Sequence, residues 1–415
     1  MPSEAQFQHE APSDLGGADP LTRWVGDAQA FPVLGERCFW NHAAVAPLPA
    51  ATAEAIAASV RAACRESFDG SARYAAVERM RGLAARLIGA ASPDDVALVP
   101  NTSTGLATVA RGLGLGAGDR VVITAAEYPA NRYCWTDLKQ DGVEVVEVPE
   151  GADLRVDPGR VADAITPGTS AVALSHVQFA TGYRCDLRPV VKAAHRVGAA
   201  VCVDAIQSVG VLPVDVEALG VDFLVADGHK WMLGPEGVGI LYARREVAKR
   251  MRPPIQGWMS VVRPTDYDAY RDGQWPENAR RFEPGSWNVA AAAGLGASLS
   301  LLSEVGVDRV WERVRKLCDL AIGRLEGLGL RCVSPMGACE GVGERSGIVA
   351  FDLPEGAPTG GSSNAEALMR ALRKQKVHVS ARRGRLRISP HFYTPESDVD
   401  RLAVAMSDVL AEARA

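Results

Sequence analysis

The sequence has no CxxC pair, no regular cysteine spacing, no apolar run the length of a membrane span and no block of like charge. Each absence removes a class of protein. Eight cysteines (Cys38, Cys64, Cys134, Cys185, Cys202, Cys318, Cys332, Cys339) scattered in this way argue against a zinc site or a disulfide framework. They read as reduced thiols, several packed as small core residues, which points to a cytoplasmic protein. A membrane helix needs about 20 apolar residues, and the nearest candidate, Val289 to Leu302, falls short, so no membrane is expected. Met1 to Asp19 lacks the basic start and apolar centre of a secretory leader, and reads as a disordered tail. A formal net charge of −5 argues against nucleic acid as a partner. There are no internal repeats and no metal-ligand cluster. What is present, 415 residues of which 47% are hydrophobic, suffices for a large core and more than one domain.

Within that bulk, the stretch from Val201 to Trp231 carries chemistry. Val201-Cys202-Val203-Asp204 is a short apolar run ending in an acid, with Gln207 three residues on. Phe223-Leu224-Val225-Ala226 then delivers Asp227, Gly228, His229 and Lys230 into a glycine-containing turn. Short apolar runs bounded by turn residues read as buried strands of a parallel sheet. Ligands of such sheets sit beyond the carboxyl ends of the strands, where Asp204 and Lys230 both emerge. An acid and a lysine so placed suit pyridoxal 5′-phosphate, which takes a Schiff base from lysine and a carboxylate at its pyridine nitrogen. Taken singly, each residue is more often a helix cap or a solvated charge.

The combination Asp204-x-x-Gln207, Asp227-Gly228-His229-Lys230 and Gly234-Pro235-x-Gly237-x-Gly239 resembles the class V aminotransferase superfamily, from about Phe39 to the C-terminus. That group includes cysteine desulfurases, isopenicillin N epimerase-like enzymes and kynureninase. The resemblance implies an α/β fold like that of aspartate aminotransferase. A large domain with a mostly parallel sheet (61–288) holds the cofactor, and a smaller α/β C-terminal domain (289–415) joins an N-terminal arm (21–60) that follows the tail (1–20). It implies a homodimer, an amino-acid substrate and chemistry through an external aldimine. Class V transamination is placed first, with C–S β-elimination on a cysteine conjugate, epimerisation or decarboxylation as alternatives; a non-catalytic sensor of the cofactor is the reading from another class.

Residue by residue, the resemblance makes Lys230 the anchor and proton shuttle and Asp204 the partner of the ring nitrogen. Gln207 is assigned to the phenolic oxygen, alone or with Gln178, because Phe179 stands where desulfurases tend to carry asparagine. His229 joins the cofactor set, and Tyr128 takes the position of the ring that stacks on the pyridine, with Tyr133 and Trp135 the neighbouring alternatives. Thr102 and Ser103 open a helix after the strand Asp95–Val99. Such a start binds anions through its free amides, although ordinary capping by Ser or Thr satisfies the same groups. Asp227 stands where Ser or Thr often touches phosphate, and is expected to turn away because like charges repel. Ser286 matches the residue that reaches the neighbouring subunit's phosphate, with Trp287 where proline is usual. Arg387 matches the arginine that grips the substrate α-carboxylate as a fork, and Arg382 is a second candidate for an acidic substrate. Asn41 and His42 belong to an arm segment that shapes the substrate end, with His42 equally readable as a satisfied structural histidine.

One departure from the desulfurases stands out. They take sulfur on a cysteine in a loop between the last strands of the small domain, and here that interval is Ser380-Ala381-Arg382-Arg383-Gly384-Arg385. A persulfide mechanism is therefore not expected. The Pro-, Trp- and Asp-containing segment from Pro253 to Asn278 reads as a substrate-covering or subunit-contact loop.

Overall fold

The computed structural model describes residues 19–66, 70–268, 270–339, 342–358 and 363–414; the tail expected over 1–20 lies almost wholly outside them. Seven apolar runs become one sheet. In chain order its strands are β1 (Val96–Val99), β2 (Arg120–Thr124), β3 (Glu144–Val148), β4 (Thr169–Ser175), β5 (Ala200–Asp204), β6 (Phe223–Asp227) and β7 (Gly239–Ala243). Their spatial order is β1-β7-β6-β5-β4-β2-β3. β7 runs antiparallel to both β1 and β6, while every other pairing is parallel. The central strands are covered on both faces, which is why they are apolar throughout instead of alternating. Helices Thr102–Gly112, Pro129–Thr136, Pro158–Ala164 and Arg188–Val197 supply crossovers between strands. Gly105 allows one of them close approach, since a Cβ there would lie 2.5 Å from Val225 Cγ1.

This topology points the carboxyl ends of β1, β2, β4, β5 and β6 the same way, so that Asn101, Tyr128, Phe179, Gln207 and Lys230 all follow strands at one edge. The smaller unit is an antiparallel sheet of β8 (Arg331–Cys332), β9 (Val349–Asp352), β10 (Ser380–Arg382) and β11 (Arg385–Ile388), in the order β10-β11-β9-β8. Helices Val307–Glu326 and Ser397–Arg414 pack together beside it. The short strand Cys38–Phe39 pairs in parallel with Val377–His378, so the N-terminal arm is part of this unit. It then crosses back, where Ala46 N donates to His229 O at 2.8 Å.

Helix Val289–Val305 begins the residue range assigned to the small domain, yet it packs along helices Ala50–Ala63 and Gly70–Leu87. Its Leu295 closes on Gly228 and Gly234, beside the large sheet. A helix this apolar is buried on most sides, which the sequence alone does not assign to one domain. Among the described residues no single helix is long and apolar enough to cross a membrane; the nearest pair, Val289–Val305 and Val307–Glu326, bends by 81° at its break. A buried ion pair fixes the segment before this helix. Arg81 donates to Glu283 Oε1 at 2.7 Å, and that oxygen also accepts from Leu98 N at 2.7 Å, tying 283–288 to β1.

Candidate active site

A cleft of about 350 Å³ opens at the shared strand edge, lined from the arm, five strand ends and the β10–β11 hairpin. It gathers Thr102, Ser103, Tyr128, Asp204, Gln207, His229, Lys230 and Arg387 from the residues singled out by sequence, and Arg382 with them. Ser286, Asn41 and His42 are placed elsewhere. Ser286 lines a separate cleft with Gly237, Trp287 and Asn288. Asn41 lines a small adjoining cleft beside Arg382. His42 is fully buried, with Nδ1 2.9 Å from Ser389 O and Nε2 2.6 Å from the Tyr393 hydroxyl, so both ring nitrogens are taken up within the fold. The arm contributes Ala43, Ala44 and Val45 to the cleft instead.

Asp204 is buried at the end of β5, its Oδ1 accepting from Ile206 N at 3.0 Å. Burial, with a further push from Glu127, raises its carboxyl above the usual range, and the Lys230 charge works against that rise. Burial likewise holds Lys230 below the ordinary lysine range; Asp204 opposes the drop and Arg387 adds to it. The Lys230 ammonium lies 5.7 Å from the Tyr128 ring centroid. That ring is braced edge-to-face by Phe179 at 5.2 Å.

Helix Thr102–Gly112 is capped by neither threonine nor serine. Asn101 Oδ1 accepts from Thr104 N at 2.8 Å, and Thr102 Oγ1 is left buried without a hydrogen-bond partner. An orphaned buried hydroxyl at a helix start is the arrangement expected of an anion cradle. Across the cleft Asp227 does not turn away. It lines the wall with Oδ2 3.1 Å from His229 Nδ1, close enough for an ion pair but without hydrogen-bond alignment, and its Oδ1 is buried without a partner.

Gln207 is more committed than its spacing suggests. Its Oε1 accepts from Trp231 Nε1 at 2.9 Å and its Nε2 donates to Ala43 O at 3.0 Å, leaving one N–H for a ligand. Gln178 is buried off the cleft, at 3.5 Å from Glu127 Oε1. His176 is buried, and burial, with the Arg184 charge, pushes it down to about 3. The sequence reading missed Glu127. Its carboxylate collects the hydroxyl of Thr124, the amide of Ser175 at 2.9 Å and Asn131 Nδ2 at 2.8 Å. These are fold-assembled contacts, with no local pattern to announce them.

Arg387 is fully buried on β11. Its Nε donates to Ser380 Oγ at 3.0 Å and its Nη1 to Phe179 O at 2.6 Å, while Nη2 has no partner. Burial and the nearby Arg382 pull it down to about 9. A buried cation with an idle N–H in a cleft calls for an anion.

Comparison with known proteins agrees with this geometry. The aminotransferase class-V family matches residues 39–402. A probable cysteine desulfurase of Methanothermobacter thermautotrophicus is 31% identical over 333 residues, 77% of this chain and 80% of its own. An uncharacterised aminotransferase of Bacillus subtilis is 30% identical over 76% of this chain and 79% of its own. Among solved structures, the Escherichia coli cysteine desulfurase CsdA superposes with a TM-score of 0.81 at 26% identity, covering 95% of this chain and 99% of its own. The cystine C-S lyase C-DES, solved with its product cysteine persulfide, gives 0.81 at 25% identity over 91% of this chain and 99% of its own.

Proposed function

We propose, since the chain belongs to the class V aminotransferase family of pyridoxal-phosphate enzymes, that its substrate is an amino acid gripped through a free α-carboxylate by Arg387. The observation that carries this reading is the idle Arg387 Nη2 in the same cleft as Lys230 and Asp204. The cofactor fits the residues present, because the orphaned Thr102 hydroxyl and the helix start offer its phosphate a seat. Ser103 and His229 complete that seat, with Asp227 Oδ2 3.1 Å from the imidazole Nδ1. Tyr128 covers one face of the ring, the free N–H of Gln207 serves its phenolic oxygen, and Asp204 meets its nitrogen. When bound, pyridoxal phosphate supplies an electron sink for the pair left at Cα when a bond there breaks.

The protein's own part is positional and protonic. Arg387 fixes the carboxylate, which orients the other bonds at Cα. Lys230, held neutral more readily by burial, takes the Cα proton and returns it to whichever atom lies in its reach. Asp204 stays ionised opposite a positive partner, although burial alone favours its neutral form. Transfer of the amino group is the first reading for this cleft. C–S elimination from a cysteine conjugate is the second, favoured by the likeness to C-DES and by the absence of cysteine, among the described residues, from the lining of the cleft. We place the enzyme in the cytoplasm as a homodimer.

The test is titration of the holoenzyme with amino acids, read by visible absorbance. Arg387→Lys should weaken substrate binding while leaving the resting spectrum alone, since an ammonium cannot reproduce the fork. Acceptance of decarboxylated amines alongside the parent amino acids would remove the carboxylate grip.

A further inference from the structure

The β10–β11 hairpin carries Arg382, Arg383, Arg385 and Arg387, and the fold sorts them into two kinds. Arg383 pairs with Glu150, and Arg385 Nε lies 2.9 Å from Asp352 Oδ1, so both are neutralised outside the cleft. Arg387 and Arg382 line the cleft, and neither has an ion-pair partner among the described residues. The contact Arg382 makes is with a neighbouring carbonyl, its Nη1 donating to Ala381 O at 2.8 Å. Arg382 also walls the small adjoining cleft of about 120 Å³, together with Arg373, His378 and Asn41. Among the described residues no acidic side chain lines that cleft, and Asn41 Oδ1 there is buried without a partner.

The geometry points to a second anion subsite: the substrate is an α-amino acid whose side chain ends in an anionic group, received by Arg382 at the mouth of the small cleft. This rests on the assignment of the α-carboxylate to Arg387. Both guanidiniums line the pocket that also holds Lys230, and the carboxylates there, Asp204 and Asp227, pair with neither of them among the described residues. Burial holds the Lys230 amine down; Asp204 and Asp227 work against that drop, while Arg387 and Arg382 add to it. A monoanionic carboxylate occupies Arg387 and leaves Arg382 unmatched; a substrate with a second anion satisfies both. The cofactor phosphate does not fill this role, since its seat is on the helix Thr102–Gly112 and the loop after β6 in the large domain.

The experiment compares acids with their isosteric amides on the holoenzyme: L-aspartate with L-asparagine, L-glutamate with L-glutamine, and S-carboxymethyl-L-cysteine with S-carbamoylmethyl-L-cysteine. Visible absorbance titration gives affinity, and product analysis gives kcat/KM. For the best pair the acid should lead its amide by roughly 10- to 100-fold, the range of one hydrogen bond to a charged group. In Arg382→Gln and in Arg382→Met, which retains an apolar stem, the ratio should fall to about one. Arg383→Gln, on the same hairpin but paired to Glu150, should leave it unchanged. Equal or better use of the amides by the unaltered enzyme, or a preference that survives in either Arg382 variant, overturns the subsite while the α-carboxylate assignment stands. No spectral response to any of the six compounds, or to any other amino acid, overturns both together.

Discussion

Asp204 and Lys230 are two charges that burial drives toward neutrality and that hold each other back from it. Removing the carboxylate charge while keeping its shape is therefore a direct probe. Asp204→Asn should keep most cofactor affinity and lose activity, because an amide cannot hold a proton on the facing nitrogen. A loss of two factors of ten or more is expected, about 2.7 kcal/mol of barrier; near-normal turnover would take Asp204 out of its role. Lys230 gives a pH test with a definite sign. Its pKa is lowered by burial, so the neutral amine that captures the cofactor is present over a wider range than in free lysine, whose value is 10.5. The rate at which stripped enzyme recaptures the cofactor, trapped on the Lys230 peptide with borohydride, should rise with pH and level off well below 10.5. A rate still climbing there would show an ordinary, solvated lysine. Both residues were legible in the sequence because each follows an apolar run at its carboxyl end, Asp204 directly and Lys230 in the turn. Glu127 follows one too, yet its value lies in groups from β2, β4 and the following helix that only the fold brings to it.

At the scale of elements, the β10–β11 hairpin decides which chemistry is open. Its turn is Arg383-Gly384, with φ of 49° and 77°, the pair of left-handed residues that a two-residue hairpin with matched twist requires. Such a turn has no slack to carry a nucleophile over the cleft. The cysteines with described side chains are Cys38, Cys64, Cys134, Cys185, Cys202, Cys318 and Cys332, and none lines it. Cys134 and Cys202 are pushed to high pKa by burial, which disfavours the reactive thiolate. Incubation with free cysteine should therefore give no protein-bound persulfide; sulfane sulfur recovered on any cysteine peptide would contradict this. The short interval between strands was readable from the sequence. The arm was read less well. Asn41 and His42 lie next to residues that do reach the cleft, and a one-residue change of register decides which side chains face it. Cys38–Phe39 is fixed by pairing with Val377–His378, far away in the chain.

On the scale of the whole molecule, the unanswered feature is Ser286. It sits with Trp287 on a cleft of its own, held there by the Arg81–Glu283 pair rather than by anything at the Lys230 cleft. Near it the chain exposes large apolar side chains. The segment after Pro253 exposes Ile255, Trp258, Tyr267 and Tyr270, Trp258 and Tyr267 lie 6.0 Å apart, and Trp258 Nε1 comes within 3.9 Å of where a Cβ on Gly285 would stand. Exposed aromatics clustered in this way are what a subunit contact covers. In the twofold dimer proposed above, Ser286 of one subunit would meet the phosphate seat of the other, each subunit completing its neighbour. Complementation separates this from a role within one chain. Ser286→Ala should weaken cofactor retention by roughly 10-fold or more, the loss of one hydrogen bond to a charged group, and Lys230→Ala should be inactive. In a dimer of one of each, one site pairs an intact Lys230 with an intact Ser286, and the other lacks both. Random reassembly of equal amounts makes half the dimers mixed, so at limiting cofactor about a quarter of full activity should return. Recovery no greater than the sum of the separate variants would place Ser286 at its own subunit's site, or at none.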